Sequence, residues 1–245
     1  MLFRSNKEVT GITFNHRMYV IECLDADPLT GTWTEKGQIK TGWESFSLDA
    51  TILQHKGKLY YIWAQEDRNV NYESHSNIYI AEMENPWTLR TKPVMLTQPL
   101  LDWEIKIFWV NEGPSILKKN GKIFLTYSAS ATDENYCMGM LVVNENDDLL
   151  DPKSWKKLEK PVFKTSYKNK QYGPGHNSFT VSEDGMKDLL VYHARNYTDI
   201  EGDPLYDPNR HTRVQVIEWD KDGFPIFGEP VMDTRNVDFD SLRKK

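Results

Sequence analysis

Cysteine is scarce. Cys23 and Cys137 are the two in 245 residues, too far apart and too unpatterned for a disulfide framework or a zinc motif. Both sit in or beside strand-like runs and read as buried free thiols. No apolar run approaches the roughly 18 residues that a membrane span needs, and no stretch carries helical periodicity. Excess positive charge is missing too. With 30 Lys and Arg against 36 Asp and Glu the net charge is −6, and the longest basic cluster, Arg243-Lys244-Lys245, ends the chain; a nucleic-acid surface needs clustered cations. Neither GxGxxG nor GxxxxGK occurs, which removes the common phosphate-cradling loops. Residues 1–15 lack the basic start, apolar stretch and small-residue cleavage site of a secretory signal. A genuine start there implies a cytoplasmic protein, and a shifted start leaves export open.

Aromatic residues make up 12% of the chain, beside 14 Gly and 12 Pro, and they fall into a repeat. Three segments share one layout: LDATILQHKGKLYYIWAQ, NEGPSILKKNGKIFLTYSAS and GPGHNSFTVSEDGMKDLLVYHAR. Asp49, Glu112 and His176 head the copies, 63 and 64 residues apart, a spacing regular enough to be architectural. In each copy a polar head precedes a short apolar run, a Gly-containing turn and a β-branched, aromatic run, which predicts a hairpin. A third run follows as MYVIE, IYIAE, MGMLVV and VQVIEW, the first of these belonging to a fourth, incomplete copy. A final strand is expected in TWTEKGQI, PWTLRTKPVML, SWKKLEKPVF and FPIFGEPVM.

Four strands per unit of about 60 residues match the blade of a β-propeller. The first strand of each blade lines the axis of such a fold, so Asp49, Glu112 and His176 are expected to face one another. About three and a half blades are present, fewer than the roughly four to eight that close a ring. The expected organisation is an atypical segment over 1–15, one partial all-β propeller domain over 16–234 and a tail over 235–245. An open first blade predicts aggregation or association unless residues 1–15 cover its flank. Carboxylates and aromatic faces together suit sugars, the first for acid-base work and the second for packing on the ring.

The blade heads SLDAT and NEGPSIL with their GK turns, the YGPGHNSF segment, the YHAR strand and the stretch GDPLYDPNRHTRVQ resemble the family 43 glycoside hydrolases, in particular the arabinofuranosidase branch. The likeness runs from about Asn15 to Thr234. It implies a five-bladed propeller and inverting hydrolysis of α-L-arabinofuranosides or β-xylosides by three carboxylates on different blades. Glu112 matches the general acid. Asp49 matches the acid that raises the pKa of the first by like-charge repulsion and orients it. The third, a general base in the family's first blade, has no counterpart here, so this chain alone is expected to be inactive or nearly so.

His176 resembles the axial histidine that helps to hold a hydrated calcium or another ion; no other cofactor is implied. Arg195 resembles an active-site arginine that bonds sugar hydroxyls or the carboxylates, and the alternative is a strand-face arginine paired with an Asp. His193 shares its face. Trp43 and Phe46 precede Asp49, and Phe108 and Trp109 precede Glu112. They read either as a sugar platform at the channel mouth or as core between blades. Arg210, His211 and Arg213 fall in a motif of the arabinofuranosidase branch without an assignable role. The implied partner is an arabino-oligosaccharide or arabinoxylan, with neither nucleic acid nor membrane. A β-xylosidase or endo-arabinanase of the same family remains open, and so does a non-catalytic carbohydrate-binding propeller.

Overall fold

The computed structural model describes residues 2–4, 13–70 and 75–233; the expected tail over 235–245 lies outside them. Among the described residues the regular structure is strand, with three 3-10 turns at Thr13–Asn15, Pro152–Ser154 and Pro204–Tyr206. The first sheet orders β1 (Leu2–Arg4), β2 (Tyr19–Cys23) and β3 (Trp33–Gln38). The second runs β4 (Ser47–His55), β5 (Lys58–Gln65), β6 (Asn77–Asn85) and β7 (Thr88–Leu89), with β8 (Val94–Thr97) also paired to β6. The third runs β9 (Asn111–Lys119), β10 (Lys122–Ala129), β11 (Cys137–Asn144) and β12 (Lys156–Lys157). The fourth holds β13 (Tyr172–Val181), β14 (Asp188–Arg195) and β15 (His211–Val216), followed by a separate pair, β16 (Glu218–Trp219) and β17 (Pro225–Ile226).

This is the expected all-β, propeller-type arrangement, with two departures. The final strand of the second sheet breaks into β7 and β8, because Pro93 brings no N–H to a ladder. The final strand expected at FPIFGEPVM also does not extend its sheet: Pro225–Ile226 pairs with β16, and Phe227 offers its carbonyl to the Gln215 amide instead. In the first sheet, Leu2–Arg4 pairs antiparallel with β2. The edge expected to stand bare thus carries a short strand.

Period-two alternation explains how the sheets stack. On β5, Tyr61 and Trp63 face the first sheet and pack with Met18, Val20 and Ile39. Tyr60, Ile62 and Ala64 face the other way and meet Ile123, Leu125 and Tyr127 of β10. On β10, Phe124 points to the fourth sheet and packs with Leu190, Tyr192 and Ala194. Both faces of β5 and β10 are covered, so these strands read as nearly continuous apolar runs. The hairpins β4–β5 and β9–β10 turn at Lys56-Gly57 and Asn120-Gly121, all four residues at positive φ, as a two-residue I′ turn requires.

The loop leading into β9 is pinned by a buried carboxylate. Glu104 is 0% exposed and accepts from the Leu100 and Leu101 N–H groups, the Tyr127 hydroxyl, Asn111 Nδ2 and Lys157 Nζ. These donors sit in the first half of that loop, in β9, and in β10 and β12. The position of Asn111, one residue before Glu112, is thereby set.

Ile80 lies at 0% exposure between the second and third sheets. Ile80→Ala should cost about 2–5 kcal/mol in denaturant unfolding. Met186→Ala, at 80% exposure, should stay within about 0.5 kcal/mol of wild type.

Candidate active site

Each inner strand carries the same irregularity. Leu48 pairs with Ala64 and Thr51 with Ile62; Glu112 pairs with Ser128 and Ser115 with Thr126; Gly175 pairs with His193 and Ser178 with Val191. In all three, one extra residue on the inner strand makes a β-bulge, the device that re-aims a side chain. The first bulge residue is left-handed every time: Asp49 at φ 50°, Gly113 at φ 57° and His176 at φ 46°. This corrects the alignment of the copies. Asp49, Gly113 and His176 are the structural equivalents, whereas Glu112 stands one residue earlier, level with Leu48 and Gly175.

The convergence itself holds. Ligand atoms of Asp49, Glu112 and His176 all lie within 4.8 Å of one another. Asp49 Oδ2 accepts the Gly113 N–H at 3.0 Å and stands 3.9 Å from His176 Nδ1. Gly113 is required here, because its φ is left-handed and a Cβ would meet His176 Nδ1 at 3.2 Å. The His176 N–H donates to Ser128 Oγ at 2.7 Å.

Glu112 is half-buried and accepts a 2.6 Å hydrogen bond at Oε1 from Tyr136. Desolvation lifts its pKa to about 7, and the negative charge of Asp49 adds to the rise. The Tyr136 hydrogen bond and the charges of His176 and Arg210 pull the other way. Burial and Glu112 keep the Tyr136 phenol protonated, so it donates. Room for its ring comes from Gly175, where a Cβ would fall 2.5 Å from Tyr136 Cε1. Sequence reasoning missed Tyr136. No local pattern marks it, since both its partners come from other strands.

Burial pushes His193 down to about 3, helped first by the charge of Arg210. Its ring lies parallel to that of Tyr136, 5.6 Å away with an 8° interplanar angle. Arg210, His193 and His176 line one cleft with Tyr206, which gives Arg210 the place that its motif alone could not.

Arg195 does not reach this site. At 1% exposure it donates to Asp207 Oδ1 at 3.0 Å and to the carbonyls of Thr132 and Pro204, so the strand arginine paired with an Asp is the correct reading. Trp43 and Phe46 also belong to the body of the fold. Trp43 packs on Tyr79, with centroids 4.9 Å apart, against the core between the first two sheets, and Phe46 is buried at 6% exposure against Phe14 and His16. Phe108 stacks on His75 at 4.0 Å and is half-buried, as is Trp109. Arg213 closes onto Asp233 and the carbonyls of Ala194 and His211.

Asp49, Glu112 and His176 could each offer one ligand atom to a metal ion. Asp49 Oδ2 and Glu112 Oε1 already accept protein hydrogen bonds, and calcium takes about six to eight oxygens. Half-exposed His176 leaves contact through water as the form compatible with the geometry.

A stack of sheets whose inner strands crowd two carboxylates together, one of them poised to keep a proton near neutrality, is an acid-base site of the glycosidase kind. The sequence profile described as glycosyl hydrolases family 43 matches residues 3–225, and the chain belongs to that family. It is 57% identical over 217 residues to an extracellular exo-α-(1→5)-L-arabinofuranosidase of Streptomyces avermitilis, covering 89% of this chain and 45% of that protein. It is 54% identical to α-L-arabinofuranosidase 43 of Humicola insolens, again over 89% of this chain and 45% of the relative. The chain thus spans about half the length of these curated relatives. Among solved structures, the α-L-arabinofuranosidase of Lactobacillus brevis superposes with a TM-score of 0.89 at 61% identity, over 94% of this chain and 71% of that one.

Two outcomes are expected. Between the ordinary carboxyl value of 4.5 and about 7, the folded chain holds a proton on Glu112 that the unfolded chain has released. The Glu112 contribution to stability should therefore fall as pH rises through that window and level off above it, opposite in sign to that of His193 below 6.5, and Glu112→Gln should remove the falling component from a series of melting curves. Tyr136→Phe removes a donor to the charged form, so the Glu112 carboxyl should titrate still higher in carbon-13 NMR, assigned by its loss in Glu112→Gln.

Proposed function

We propose that this chain carries the acid half of an inverting α-L-arabinofuranosidase site. Glu112 protonates the departing glycosidic oxygen, while Asp49 crowds it, holds its proton and orients it. The observation that carries this reading is the meeting of Asp49 and Glu112 within 4.8 Å, with the Glu112 carboxyl raised to about 7. A general acid must arrive protonated at working pH, and an unperturbed Glu titrates near 4.3.

An inverting mechanism also needs a base roughly 6.5–9.5 Å from the acid, with water between them. Among the described residues the carboxylates gathered here are Asp49 and Glu112. On the resemblance to the family we assign the base to no residue of this chain, and expect this chain alone to turn over at close to the buffer rate. The substrate class is arabino-oligosaccharide or arabinoxylan side chains, which the names of the relatives support. Export fits the relative named extracellular, and no described helix is long and apolar enough to cross a membrane. A hydrated cation over His176 belongs to the same proposal; added calcium should then raise the melting temperature of wild type and leave His176→Ala unmoved.

The decisive measurement pairs p-nitrophenyl α-L-arabinofuranoside with the β-D-xyloside, alongside glycan-array binding. Arabinoside-selective binding with near-background release is expected. Fast turnover that disappears in Glu112→Gln defeats the missing base. Xyloside selectivity moves the chain to the xylosidase reading, and binding that ignores both Asp49→Asn and Glu112→Gln, in strength and in pH dependence, moves it to a non-catalytic propeller.

A further inference from the structure

Charge is unevenly spread along this chain. Residues 153–170 hold seven lysines against one acid, Glu159, a local charge of +6 in a chain of net −6. The lysines come singly or in pairs, so no contiguous basic run marks them. Lys157 is spent on buried Glu104. Lys153, Lys156, Lys160, Lys164, Lys168 and Lys170 are exposed, and none of them forms an ion pair among the described residues.

The fold lays these residues along one edge. Lys156 and Lys157 form β12, the edge strand of the third sheet. Beyond it the chain keeps to β11: the Leu158 N–H donates to the Met140 carbonyl, the Val162 N–H to Met138, and the Met138 N–H to Phe163. Lysine on a sheet edge discourages pairing with another sheet, which explains Lys156. It does not explain Lys164 and Lys168, which lie past the strand and line a cleft of about 380 Å³ with Phe163, Tyr167 and Glu229, within the range of about 300–1,000 Å³ typical of small-molecule sites.

Tyr167 stands on a braced hairpin. Ser166 and Gln171 exchange backbone hydrogen bonds at 2.9 and 3.1 Å, and Lys170 takes a left-handed φ of 52° in the turn between them. The Ser166 hydroxyl donates to Glu229 Oε2, and Asn169 Nδ2 to the Pro230 carbonyl, both at 2.8 Å. On this support the Tyr167 ring is 69% exposed, with the Tyr172 ring edge-on at 5.6 Å. A large aromatic face held in water at a fixed place can be stacked upon at little further ordering cost.

Cations spaced along an edge suit a ligand with repeated anionic groups, and an open aromatic face suits flat apolar rings. Nucleic acid offers both, but residues 153–170 contain no Arg, the side chain that phosphate recognition favours. Glu229 opposes a bare anion in the cleft, whereas it can accept the hydroxyls that every sugar ring brings. We propose that the edge from Lys156 to Lys168 binds an acidic polysaccharide, a chain of sugar rings bearing carboxylates. Tyr167 stacks on one ring, and Lys160, Lys164 and Lys168 pair with the carboxylates. The Thr165 hydroxyl donates to the Glu134 carbonyl at 2.6 Å, two residues before Tyr136, so this surface adjoins the end of the sheets that carries Glu112. It is separate from the acid, and it does not depend on which glycoside the acid serves.

The test is affinity electrophoresis through gels containing polygalacturonate or its fully methyl-esterified form. Wild type is run beside the triple variant Lys160→Gln, Lys164→Gln, Lys168→Gln and beside Tyr167→Ala, with melting temperatures as a folding control. Polygalacturonate should retard wild type, less so as salt is added. The esterified chain should bind about tenfold more weakly, and the triple variant should lose about tenfold on polygalacturonate, the range of a few exposed ion pairs. Tyr167→Ala should lose about threefold to tenfold, the range of one aromatic face. No retention of wild type, equal retention by free and esterified chains, or unchanged binding in the triple variant overturns the proposal. Loss in the triple variant without loss in Tyr167→Ala, or single-stranded DNA competing as well as polygalacturonate, makes the edge a general polyanion surface and overturns the polysaccharide assignment.

Discussion

One backbone constraint underlies the site: each inner strand must accept an extra, left-handed residue, the third of β4 and β9 and the fifth of β13. A plain strand would alternate its side chains strictly between the faces, and in the second and third sheets both faces are filled by neighbouring sheets. The bulge breaks that alternation and turns Asp49 and His176 out of the apolar layers toward the axis. At the middle strand the same kink falls on Gly113, whose freed N–H reaches Asp49. The kink that creates the cluster therefore also supplies one of its hydrogen bonds.

From this follows the electrostatic character of the centre. Two carboxyls brought together in a partly dry place cannot both ionise without penalty, and the better buried one, Glu112, keeps its proton. Tyr136 moderates this without cancelling it, because its hydrogen bond ranks below burial and the charge of Asp49. Around them the cations are sorted by depth. Arg195 and Arg213 are spent on Asp207 and Asp233, whereas Arg210 donates to the Leu205 carbonyl and directs its field at Glu112 and His193. Buried pairing serves the scaffold, and the less committed guanidinium serves the cleft.

The repeat, the hairpins and the convergence of Asp49, Glu112 and His176 could all be read from the chain, because Gly-containing turns and period-two runs are local signals. The one-residue offset of Glu112 could not. An extra residue in a strand leaves no mark in composition, and Asp, Gly and His all stand at the kink. Arg195 misled for a related reason: its partner Asp207 lies 12 residues away in a loop whose path no periodicity describes. For Trp43 and Phe46 the sequence leaves a sugar platform and inter-blade core both open, and the neighbouring sheet, which no local signal describes, decides for the core. Tyr136 escaped notice because the space it fills is the missing side chain of Gly175, on a different sheet. The broken final strands were half visible, through Pro93 in one case, and in the other not at all.

Glu104 carries one more implication. It ties Leu100 and Leu101 at one end of the lead-in loop and Asn111 at the other to a single carboxylate, and Lys106 is held separately by Ser130 and Ala131. Length changes in this loop can then be absorbed between Lys106 and Trp109 without shifting the acid. The rim of the channel is free to diversify its shape there, while the proton donor behind it keeps its coordinates.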